Sequence, residues 1–592
     1  MSGKAQPKAT PTGKSGEEKT ATDKPPLLSK NISEKLTVVL EELGYLPGSF
    51  VPAVVPTADP RFGDYQSNAA MVLGKELKRS PRDLAQEIAG RFSTDDLLES
   101  VQVAGPGFLN FKVCQRAWEQ HCIRLWHDER LGVAFVPEPK TVVIDFSSPN
   151  IAKPMHVGHI RSTIIGDALA RIARFLGHNV ITDNHLGDWG TQFGKVIVGW
   201  KKCLNRQALE ADPIEELVRL YRETNRAAND DSEVEEACRA ELVKLQQGDE
   251  ENHAIWEECV ALSLKGLKRI YERLNVTFDH WLGESFYNEH LSEVVQELTE
   301  AGLVEESEGA RVVWNGELSD SPFIVQKADG GFNYASTDLA TVKYRIHEWE
   351  ADAIWYVVGA PQKLHFDMLF ATARRWGFDA SLAHIAFGSI LGEDRKMMKT
   401  RSGDSVLLES VLDEAVEGAL DAVKARNPDW TEDEMQEVAR RIGIGSLKYG
   451  ELSQHRMSDY VFSLPRMIAL QGNTAPYLQN AYVRIQSIFR KYGKALPVPQ
   501  QVQLHDEAEM RLAVKLALFA ETVPTTLDGW RPNILANYLY ELATQFHSFF
   551  EACPVLKSEG LTQITRLTLC DLTAKTLKLG LDLLGIEVPD RM

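Results

Sequence analysis

A chain of 592 residues is long enough for several domains, and its 44% hydrophobic content is ordinary for a soluble protein. Its apolar runs are shorter than a membrane span, its N-terminus lacks the apolar stretch of a secretory signal, and its seven scattered cysteines match neither a zinc site nor a disulfide framework. These features predict a cytoplasmic protein, and the formal net charge of -19 argues against a broadly basic nucleic-acid-binding surface without excluding a local basic face.

Residues 1–28 are rich in Lys, Thr, Gly, Pro and Ser and lack apolar periodicity, so we predict a disordered tail. Up to Lys24 this tail contains five lysines and three acids. It is either a solubilising extension, which we favour, or an electrostatic tether for RNA.

Residues 29–118 have the pattern of a small α+β domain. Helical periodicity near 31–43 and 81–92 flanks strand-like runs, and Gly105-Pro106-Gly107 is typical of a turn. From the residue pattern alone this is a generic accessory domain.

The stretch Ser147–Thr163 is the central feature of the chain. It follows a short apolar run, 141–146, that predicts a buried parallel strand, and it leads into apolar residues at helical spacing that stop at Gly177. This strand, loop and helix predict a helix N-terminus whose free N–H groups face phosphate.

Two histidines, His156 and His159, lie on either side of Gly158 at that terminus. Two imidazoles beside a glycine suit the stabilisation of charge while a triphosphate is attacked at its α-phosphorus. The spacing alone equally fits a metal-binding pair or surface histidines. A dehydrogenase is disfavoured because the strand leads into no Gly-x-Gly-x-x-Gly.

The second predicted strand of this region leads into a glycine-rich segment, 184–194. Loops at the carboxyl edge of a parallel sheet bind ligands, so we expect this segment beside the histidines. Residues 203–275 are helical in pattern and highly charged, which predicts a helical insertion.

The α/β pattern returns between 310 and 400, with candidate strands at 354–358 and 384–391 and a basic loop at 396–404. From about 440 onward the strand signal vanishes, and helices are predicted, among them 477–492 and 534–550. The predicted divisions are the tail 1–28, an α+β domain 29–118, a Rossmann-like parallel-sheet domain 119–405, a connecting helical segment 406–450 and an all-α domain 451–592.

These strings together resemble one family. Ser147–Thr163 is similar to the signature of class I aminoacyl-tRNA synthetases, His-Ile-Gly-His, in the extended form of the arginyl enzymes. Val157 replaces the usual isoleucine, a packing change that keeps the chemistry. Other segments resemble the same enzymes in the expected order: 62–68, 105–111, 184–194, 283–287, 472–485 and 583–592.

The resemblance implies an ATP-dependent arginine–tRNA ligase with an N-terminal tRNA-contacting α+β domain, a Rossmann-like catalytic domain with a helical insertion, and a C-terminal all-α anticodon-binding bundle. It implies the substrates L-arginine, ATP and tRNA(Arg), Mg²⁺ with the ATP, no protein metal site, no membrane partner and a monomer. Arginyl-adenylate would form first, and the arginyl group would then pass to the terminal ribose of the tRNA. The rival readings are a synthetase for another amino acid and a non-catalytic RNA-binding relative.

The phosphate-handling residues are implied in the same way. The catalytic residues would be Lys153, His156, His159, Lys399 and Arg401, and the further ATP contacts Gly158, Gly187, Asp188 and Met398. The second class I motif, Lys-Met-Ser-Lys, has no counterpart of its last lysine here, and arginyl enzymes with this departure carry a lysine at the place of Lys153. We therefore expect Lys153 to stabilise pyrophosphate, assisted by Lys399 or Arg401, for which a solvated basic loop is the alternative.

A guanidinium is planar and permanently charged, so carboxylates in forked pairs recognise it best. Tyr334 and Asp338 are four residues apart and would share one face of a helix. By resemblance these two and Asp145, where many relatives have glutamate, line the side-chain pocket, and Asn150, Gln362 and His159 contact the rest of the amino acid. Without the resemblance, Asp338 would be an N-cap or a surface acid.

The implied tRNA contacts are Asn68 and Asn110 in the N-terminal domain and Tyr482, Arg484 and Arg490 in the bundle. Arginines beside aromatic residues on one predicted helix suit base stacking and phosphate contact. By spacing alone, Tyr482 could equally belong to the core.

Overall fold

The computed structural model describes residues 27–45, 50–57, 59–190, 192–316, 318–398 and 406–592. The chain divides into two units, Met1–Ala134 and Phe135–Met592. Residues 1–26 of the predicted tail lie outside the described residues, and the first helix begins at Leu28.

An antiparallel sheet forms the middle of the N-terminal unit, in the order β1-β2-β4-β3. Its strands and the helices of this unit are β1 (Val55–Pro56), β2 (Tyr65–Ser67), β3 (Leu98–Ala104), β4 (Phe108–Val113), α1 (Leu28–Glu42), α2 (Ala69–Glu76), α3 (Pro81–Ala89) and α4 (Gln115–His127). The predicted Gly-Pro-Gly turn joins β3 to β4. Gly107 has φ 140°, and a Cβ there would lie 2.8 Å from the carbonyl oxygen of Pro81, so this tight turn requires glycine.

The larger unit contains the remaining elements. Its strands are β5 (Thr141–Phe146), β6 (Asn179–Asp183), β7 (Glu305–Ser307), β8 (Ala310–Val313), β9 (Phe323–Gln326), β10 (Ala353–Val357), β11 (Ser381–His384), β12 (Ile390–Leu391) and β13 (Tyr460–Val461). Its helices are α5 (Gly158–Leu176), α6 (Gln192–Cys203), α7 (Arg206–Ala211), α8 (Pro213–Asp230), α9 (Ser232–Gln246), α10 (Glu250–Leu274), α11 (Leu291–Glu300), α12 (Tyr334–His347), α13 (Lys363–Trp376), α14 (Leu408–Arg426), α15 (Glu432–Leu452), α16 (Leu464–Met467), α17 (Ala475–Tyr492), α18 (Glu507–Ala517), α19 (Phe519–Thr525), α20 (Asn533–Ala552) and α21 (Gly560–Leu583). Short 3-10 helices cover Pro60–Phe62 in the N-terminal unit and Glu284–His290 and Ala360–Gln362 in this one.

A parallel sheet in the order β11-β10-β5-β6 positions the candidate site. Val143 of β5 pairs with Ile354 of β10 and Ile181 of β6, and every residue of β10 is buried. Because all four strands run the same way, the loops that leave their carboxyl ends lie at one edge of the sheet. This arrangement matches the predicted Rossmann-like domain.

Four helices, α7 to α10, fill the predicted insertion. Three aspartates that precede these helices, Asp212, Asp231 and Asp249, accept hydrogen bonds from first-turn backbone N–H groups, which explains where α8, α9 and α10 begin. The antiparallel sheet β7-β8-β9 was not predicted, because strands of three or four residues give little periodic signal.

Two strand predictions were wrong in detail. The run 384–391 is not one strand, because β11 ends at His384 and the backbone N–H of Ser389 turns to the carboxylate of Asp459, 2.5 Å away. The region after residue 440 was predicted to contain only helices, but it contains strand β13, which pairs in parallel with β12. No helix in the described ranges is long and apolar enough to cross a membrane.

Candidate active site

The loop that follows β5 has a strained backbone. Ser147, Ser148 and Ala152 adopt φ values of 72°, 46° and 59°, a region that non-glycine residues rarely occupy. Buried hydrogen bonds hold this geometry, since the backbone N–H of Ser147 donates to Ser162 Oγ at 2.8 Å and its hydroxyl lies 2.7 Å from that of Tyr271. Strain of this kind at a sheet's carboxyl edge is typical of ligand sites.

His156 and His159 lie together at the start of α5, with ring centroids 4.0 Å apart. The backbone N–H of His156 donates to Nδ1 of His159, and that of Gly158 donates to Nδ1 of His156, both at 3.1 Å. The ring of His156 therefore carries its proton on Nε2, whereas Nδ1 of His159 also lies 3.3 Å from the carbonyl oxygen of His156, so either ring nitrogen of His159 can carry its proton. Burial lowers the pKa of His156, and burial beside His156 lowers the pKa of His159 to about 4, so both rings are neutral donors near pH 7.

The prediction that the first N–H groups of α5 are free for phosphate was wrong for three of them. The N–H of Gly158 donates to the ring of His156, and those of His159 and Ile160 donate to carbonyl groups in residues 156–157 at 2.9 and 3.1 Å. An anion at this terminus can therefore interact with imidazole N–H groups and with the helix dipole.

The segment that begins at Val406 pairs with the histidine motif. The backbone N–H of Val157 donates to the carbonyl of Val406 at 2.8 Å, and that of Leu408 donates to Met155 at 2.9 Å. Met398 lies one residue beyond Met397, which bridges to Leu391. The candidates Lys399 and Arg401 lie outside the described residues, but the segment that leaves their loop pairs with residues 155–157.

Lys153 is exposed and lies with its ammonium 5.1 Å from the ring centre of Tyr221, on α8 of the insertion. An ammonium group over an aromatic face is attracted by the ring. Gly187 approaches Asn150 so closely that a Cβ would lie 2.1 Å from Asn150 Oδ1, which brings the loops after β5 and β6 together. Gln362 is exposed and ends the short helix that follows β10, at the same sheet edge.

Asp145 and Asp188 lie at this edge, but other protein groups hold their carboxylates. Arg345 of α12, fully buried, places its Nη2 2.7 Å from Asp145 and 2.8 Å from Asp183. Asp188 accepts from the backbone N–H of Ser285 at 2.8 Å and from its hydroxyl at 2.6 Å. The roles of Asp145 toward the amino acid and of Asp188 toward ATP stay predictions.

Three carboxylates and a tyrosine lie near one another beside the start of α12. Asp338 and Tyr334 both lie in the first turns of α12, and His365 Nε2 lies 2.5 Å from Asp338 Oδ2. Burial, with Asp188 and Asp338 nearby, raises the pKa of Glu284 to about 7. Among the nearby side chains, His185 lowers this pKa and the two aspartates raise it. Buried acids that lie close together suit a cationic ligand. Sequence reasoning missed Glu284, although it lies in the segment 283–287 that resembled the family.

This acidic group opens into a cleft of ≈ 650 Å³. Glu284 and Tyr334 line it, together with Trp189 and Phe332 and the basic residues Arg239 and Lys327. No group of three or more His, Cys, Asp or Glu with metal-binding geometry occurs in the part of the chain that the structure describes.

Three family models match this chain. "tRNA synthetases class I (R), catalytic domain" matches residues 123–464, "DALR anticodon binding domain" matches 478–592, and "Arginyl tRNA synthetase N terminal domain" matches 29–113. The chain belongs to the arginyl-tRNA synthetase family.

Relatives and solved structures agree with this family. An "Arginine--tRNA ligase" of Picosynechococcus is 45% identical over 91% of this chain and 95% of its own length, and one of Chromobacterium violaceum is 43% identical over 95% and 99%. The arginyl-tRNA synthetase of Plasmodium falciparum superposes with a TM-score of 0.82 at 29% identity, over 96% of this chain and 99% of that one. The Thermus thermophilus arginyl-tRNA synthetase, at 24% identity, shares the fold with a TM-score of 0.81 over 96% and 100%.

In the N-terminal unit, which matches the arginyl family's own domain, amide side chains share one face of the sheet. Gln66 pairs in register with Asn110, which also pairs with Gln102, and Asn68 lies two residues beyond Gln66. Asn68 is exposed beside a small cleft that Gln66 and Phe108 also line. Asn110 is buried, and its Oδ1 has no hydrogen-bond partner among the described residues.

In the helical unit that the family's anticodon-binding model matches, the three predicted residues have separate surroundings. Tyr482 is 9% exposed, and charges on Lys578, Asp582 and Asp590 influence its pKa, so it faces α21 and the C-terminus. Arg490 donates to the carbonyl of Asp590 at 3.1 Å. The tRNA role of these two residues stays a prediction.

Arg484 lies on another face of α17, toward α20. Its guanidinium is 5.2 Å from the ring centre of Phe550 and contacts His547 at 3.4 Å. Tyr477 packs its ring 4.9 Å from His547 and 5.5 Å from Tyr540. Arg484 was predicted, but the four half-exposed rings around it were missed, because the sequence does not show which face of α17 meets α20.

Proposed function

We propose that this chain carries out the reaction of its family, the ATP-dependent ligation of L-arginine to tRNA(Arg). In the first step a carboxylate oxygen of arginine attacks the α-phosphorus of ATP, and pyrophosphate leaves. In the second, the terminal ribose hydroxyl of the tRNA attacks the arginyl carbonyl, and AMP leaves. The single observation that carries this proposal is the acidic pocket of Glu284, Asp338 and Tyr334 at the same sheet edge as the two histidines.

The two histidines would stabilise the developing charge on the α-phosphate. Both are neutral, each would donate a ring N–H, and they lie at the positive end of α5. Lys153 would stabilise the pyrophosphate, with Lys399 or Arg401 assisting. Gly158, Gly187 and Met398 would lie along the nucleotide, and Mg²⁺ would enter with the ATP phosphates.

The guanidinium of arginine would pair with Asp338 and Glu284 beside the Tyr334 ring. His365 fixes the Asp338 carboxylate, and the raised pKa of Glu284 falls when a cation approaches. Asn150, Gln362 and His159 would hold the α-amino and carboxylate groups. Asp145 would act through Arg345, which fixes α12 against β5 and β6, and Asp188 would hold the segment that carries Glu284.

We further propose that Asn68 and Asn110 contact the tRNA in the N-terminal domain, 29–118, and that the anticodon meets the rings of Tyr477, Tyr540, His547 and Phe550 with Arg484. Aromatic rings next to an arginine stack single-stranded bases and contact phosphate. The predicted domains would divide these roles: tRNA contact in 29–118, catalysis in 119–405 and anticodon binding in 451–592, with 406–450 as the connecting segment. The chain would work as a monomer in the cytoplasm.

Pyrophosphate exchange across the twenty amino acids, with tRNA(Arg) present, tests the proposal. We expect exchange with arginine and little with the others, because an acidic pocket rejects neutral side chains. Exchange driven by another amino acid would identify a different synthetase, and exchange with none would identify a non-catalytic RNA-binding relative.

A further inference from the structure

One histidine holds the carboxylate of Asp338 on a single oxygen. His365, in the first turn of α13, lies with its Nε2 2.5 Å from Oδ2 of Asp338. An ionised carboxylate can only accept hydrogen bonds, so the ring donates through Nε2. Oδ1 of Asp338 accepts no hydrogen bond from the residues that the structure describes. The protein therefore fixes one oxygen of this carboxylate, and the other is available to a ligand.

Aromatic packing holds the ring of His365 in place. The ring of Phe323, on β9, has its centre 5.6 Å from that of His365, and the ring of Phe366 has its centre 5.5 Å away. Phe366 is buried and packs 5.0 Å from the ring of Tyr356 on β10. His365 is thus a donor whose direction is set by the core of the parallel-sheet domain.

The start of α12, which carries Asp338, is fixed to the same strand. Asn333 Oδ1 accepts from the backbone N–H of Ala335 at 3.1 Å and caps the helix. The hydroxyl of Ser336 donates to the carbonyl of Val325 on β9. Strand β9 therefore contacts both partners of the hydrogen bond, α12 through Val325 and His365 through its neighbour two residues earlier.

The two helices do not need this hydrogen bond in order to pack together. Leu339 of α12 and Phe366 and Leu369 of α13 belong to one buried apolar cluster. The side chains of His365 and Asp338 are 29% and 23% exposed, and a partly exposed pair contributes little to stability. Asp338 also lies close enough to Glu284 and Tyr334 to raise the pKa of both, so it faces the acidic pocket. These features indicate a role toward the ligand.

The orientation of a carboxylate matters to a guanidinium and much less to an ammonium group. A guanidinium is planar and donates two parallel N–H groups, so it binds best to a carboxylate that lies in its own plane. An ammonium group is a compact charge whose three donors rotate freely. A carboxylate held in one plane therefore favours arginine over lysine, although both side chains carry one positive charge.

We propose that His365 is a positioning residue that sets the plane of the Asp338 carboxylate and so makes the pocket selective for a guanidinium over an ammonium group. This inference rests on the proposed function, which places the side chain of the substrate at Asp338. Gln362, three residues before His365, would hold the other end of the amino acid. One short segment, 362–365, would then set both ends of the substrate.

Two variants of His365 separate its hydrogen bond from its packing. His365→Leu keeps an apolar side chain against Phe323, and His365→Gln keeps an N–H donor near the place of Nε2. Binding of labelled L-arginine to the full chain, with tRNA(Arg) and without ATP, gives the arginine affinity, and competition by L-lysine gives the lysine affinity. In His365→Leu the arginine affinity should fall about tenfold, as the loss of one hydrogen bond to a charged group does. The lysine affinity should hardly change, and His365→Gln should retain most of the preference for arginine.

His384→Leu is the matched control, because it alters the same aromatic group. The ring of His384, on β11, lies 4.6 Å from that of Phe366, and its Nε2 lies 3.0 Å from the carbonyl oxygen of Val358. It forms no hydrogen bond with Asp338 among the described residues. This variant should keep the wild-type ratio of arginine to lysine affinity even if its melting temperature falls.

An unchanged ratio in His365→Leu, or an equal loss of the ratio in His384→Leu, would overturn the positioning role. A glutamine variant that is less selective than the leucine variant would also overturn it, because packing and not the donor would then matter. Failure of the proposed function is visible in the wild-type chain alone, which would bind arginine no more tightly than lysine or a neutral amino acid.

Discussion

At the scale of single residues, the tautomer of the two histidines determines what each can do. Nδ1 of His156 accepts a backbone N–H group, so only its Nε2–H can reach a phosphate, whereas Nδ1 of His159 lies near both the N–H and the carbonyl of His156. His156→Ala and His159→Ala should each slow adenylate formation about 10²–10³-fold, the cost of one such donor. Pyrophosphate exchange measures this loss, and filter binding should show unchanged tRNA affinity.

Glutamine at either position tests whether the N–H donor or the imidazole ring itself is needed, because glutamine keeps a donor and lacks the ring. Its amide N–H can take the place of Nε2–H, so His156→Gln and His159→Gln should be less impaired than the alanine variants. Alanine variants with wild-type exchange would remove these residues from the catalytic site.

Asp338 is expected to provide charge as well as shape. Asp338→Asn keeps the size and removes the charge, and breaking one side of a buried pair costs roughly 3–5 kcal/mol. The Michaelis constant for arginine should rise about 10²-fold or more, and that for ATP should hardly change. For citrulline, an uncharged analogue, the same variant should raise the Michaelis constant less than it does for arginine in the same exchange assay.

Glu300→Gln, an exposed acid at the end of α11, is the control for this prediction. Equal losses for arginine and ATP in Asp338→Asn would indicate misfolding. An unchanged Michaelis constant for arginine would mean that Glu284 and Tyr334 alone recognise the side chain.

The sequence could predict the part of the pocket that is local. Tyr334 and Asp338 are four residues apart, and helical spacing alone places them on one face. The environment of Asp145 could not be predicted, because its partner Arg345 is 200 residues away and no periodic pattern joins them. The importance of Glu284 depends on burial and on nearby acids from other segments, which only the folded chain shows.

At the scale of elements, helix α17 presents two faces with different partners. Tyr477 and Arg484 face α20, and Tyr482 faces α21. Tyr477→Ala should weaken tRNA binding by about 1–3 kcal/mol, the usual contribution of one base stacked on an aromatic ring. The Michaelis constant for tRNA in aminoacylation should rise, while pyrophosphate exchange at saturating tRNA should keep its arginine dependence.

Tyr482→Phe is the matched control on the same helix, because it removes only a hydroxyl on the buried face. A larger effect from this variant than from Tyr477→Ala would reverse the assignment of the two faces.

The long elements could be predicted, and the shortest could not. The parallel strand β5, helix α5 with its glycine stop and the insertion helices with their aspartate caps follow local signals. Strands β12 and β13 have two residues each, which is too few for any period, and they form because Arg161 and Asp459 hold their segments together. Tertiary contacts decide such elements.

At the scale of the whole molecule, the end of the chain is fixed to the start of α15. Arg591 lies 4.6 Å from the ring centre of Trp430 and pairs with Glu434, and Met592 packs on the cluster around Val423 and Met435. Deletion of Arg591 and Met592 should lower the melting temperature by about 2–4 °C, as a loss of about 1 kcal/mol does in a domain of this size.

Arg511→Ala, which removes an exposed pair with Glu507 on α18, should leave the melting temperature unchanged. A truncated chain that melts like wild type would show that the C-terminal contacts contribute nothing to stability.

The raised pKa of Glu284 makes arginine binding a proton-linked equilibrium. Near pH 7 this carboxyl is about half protonated, and an incoming guanidinium lowers its pKa, so binding should release about half a proton to the solvent. Arginine affinity should therefore increase with pH up to about 7 and level off above it. Calorimetry in buffers of different ionisation enthalpy measures the released proton, and Glu284→Gln should abolish both the release and the pH dependence that Glu284 contributes.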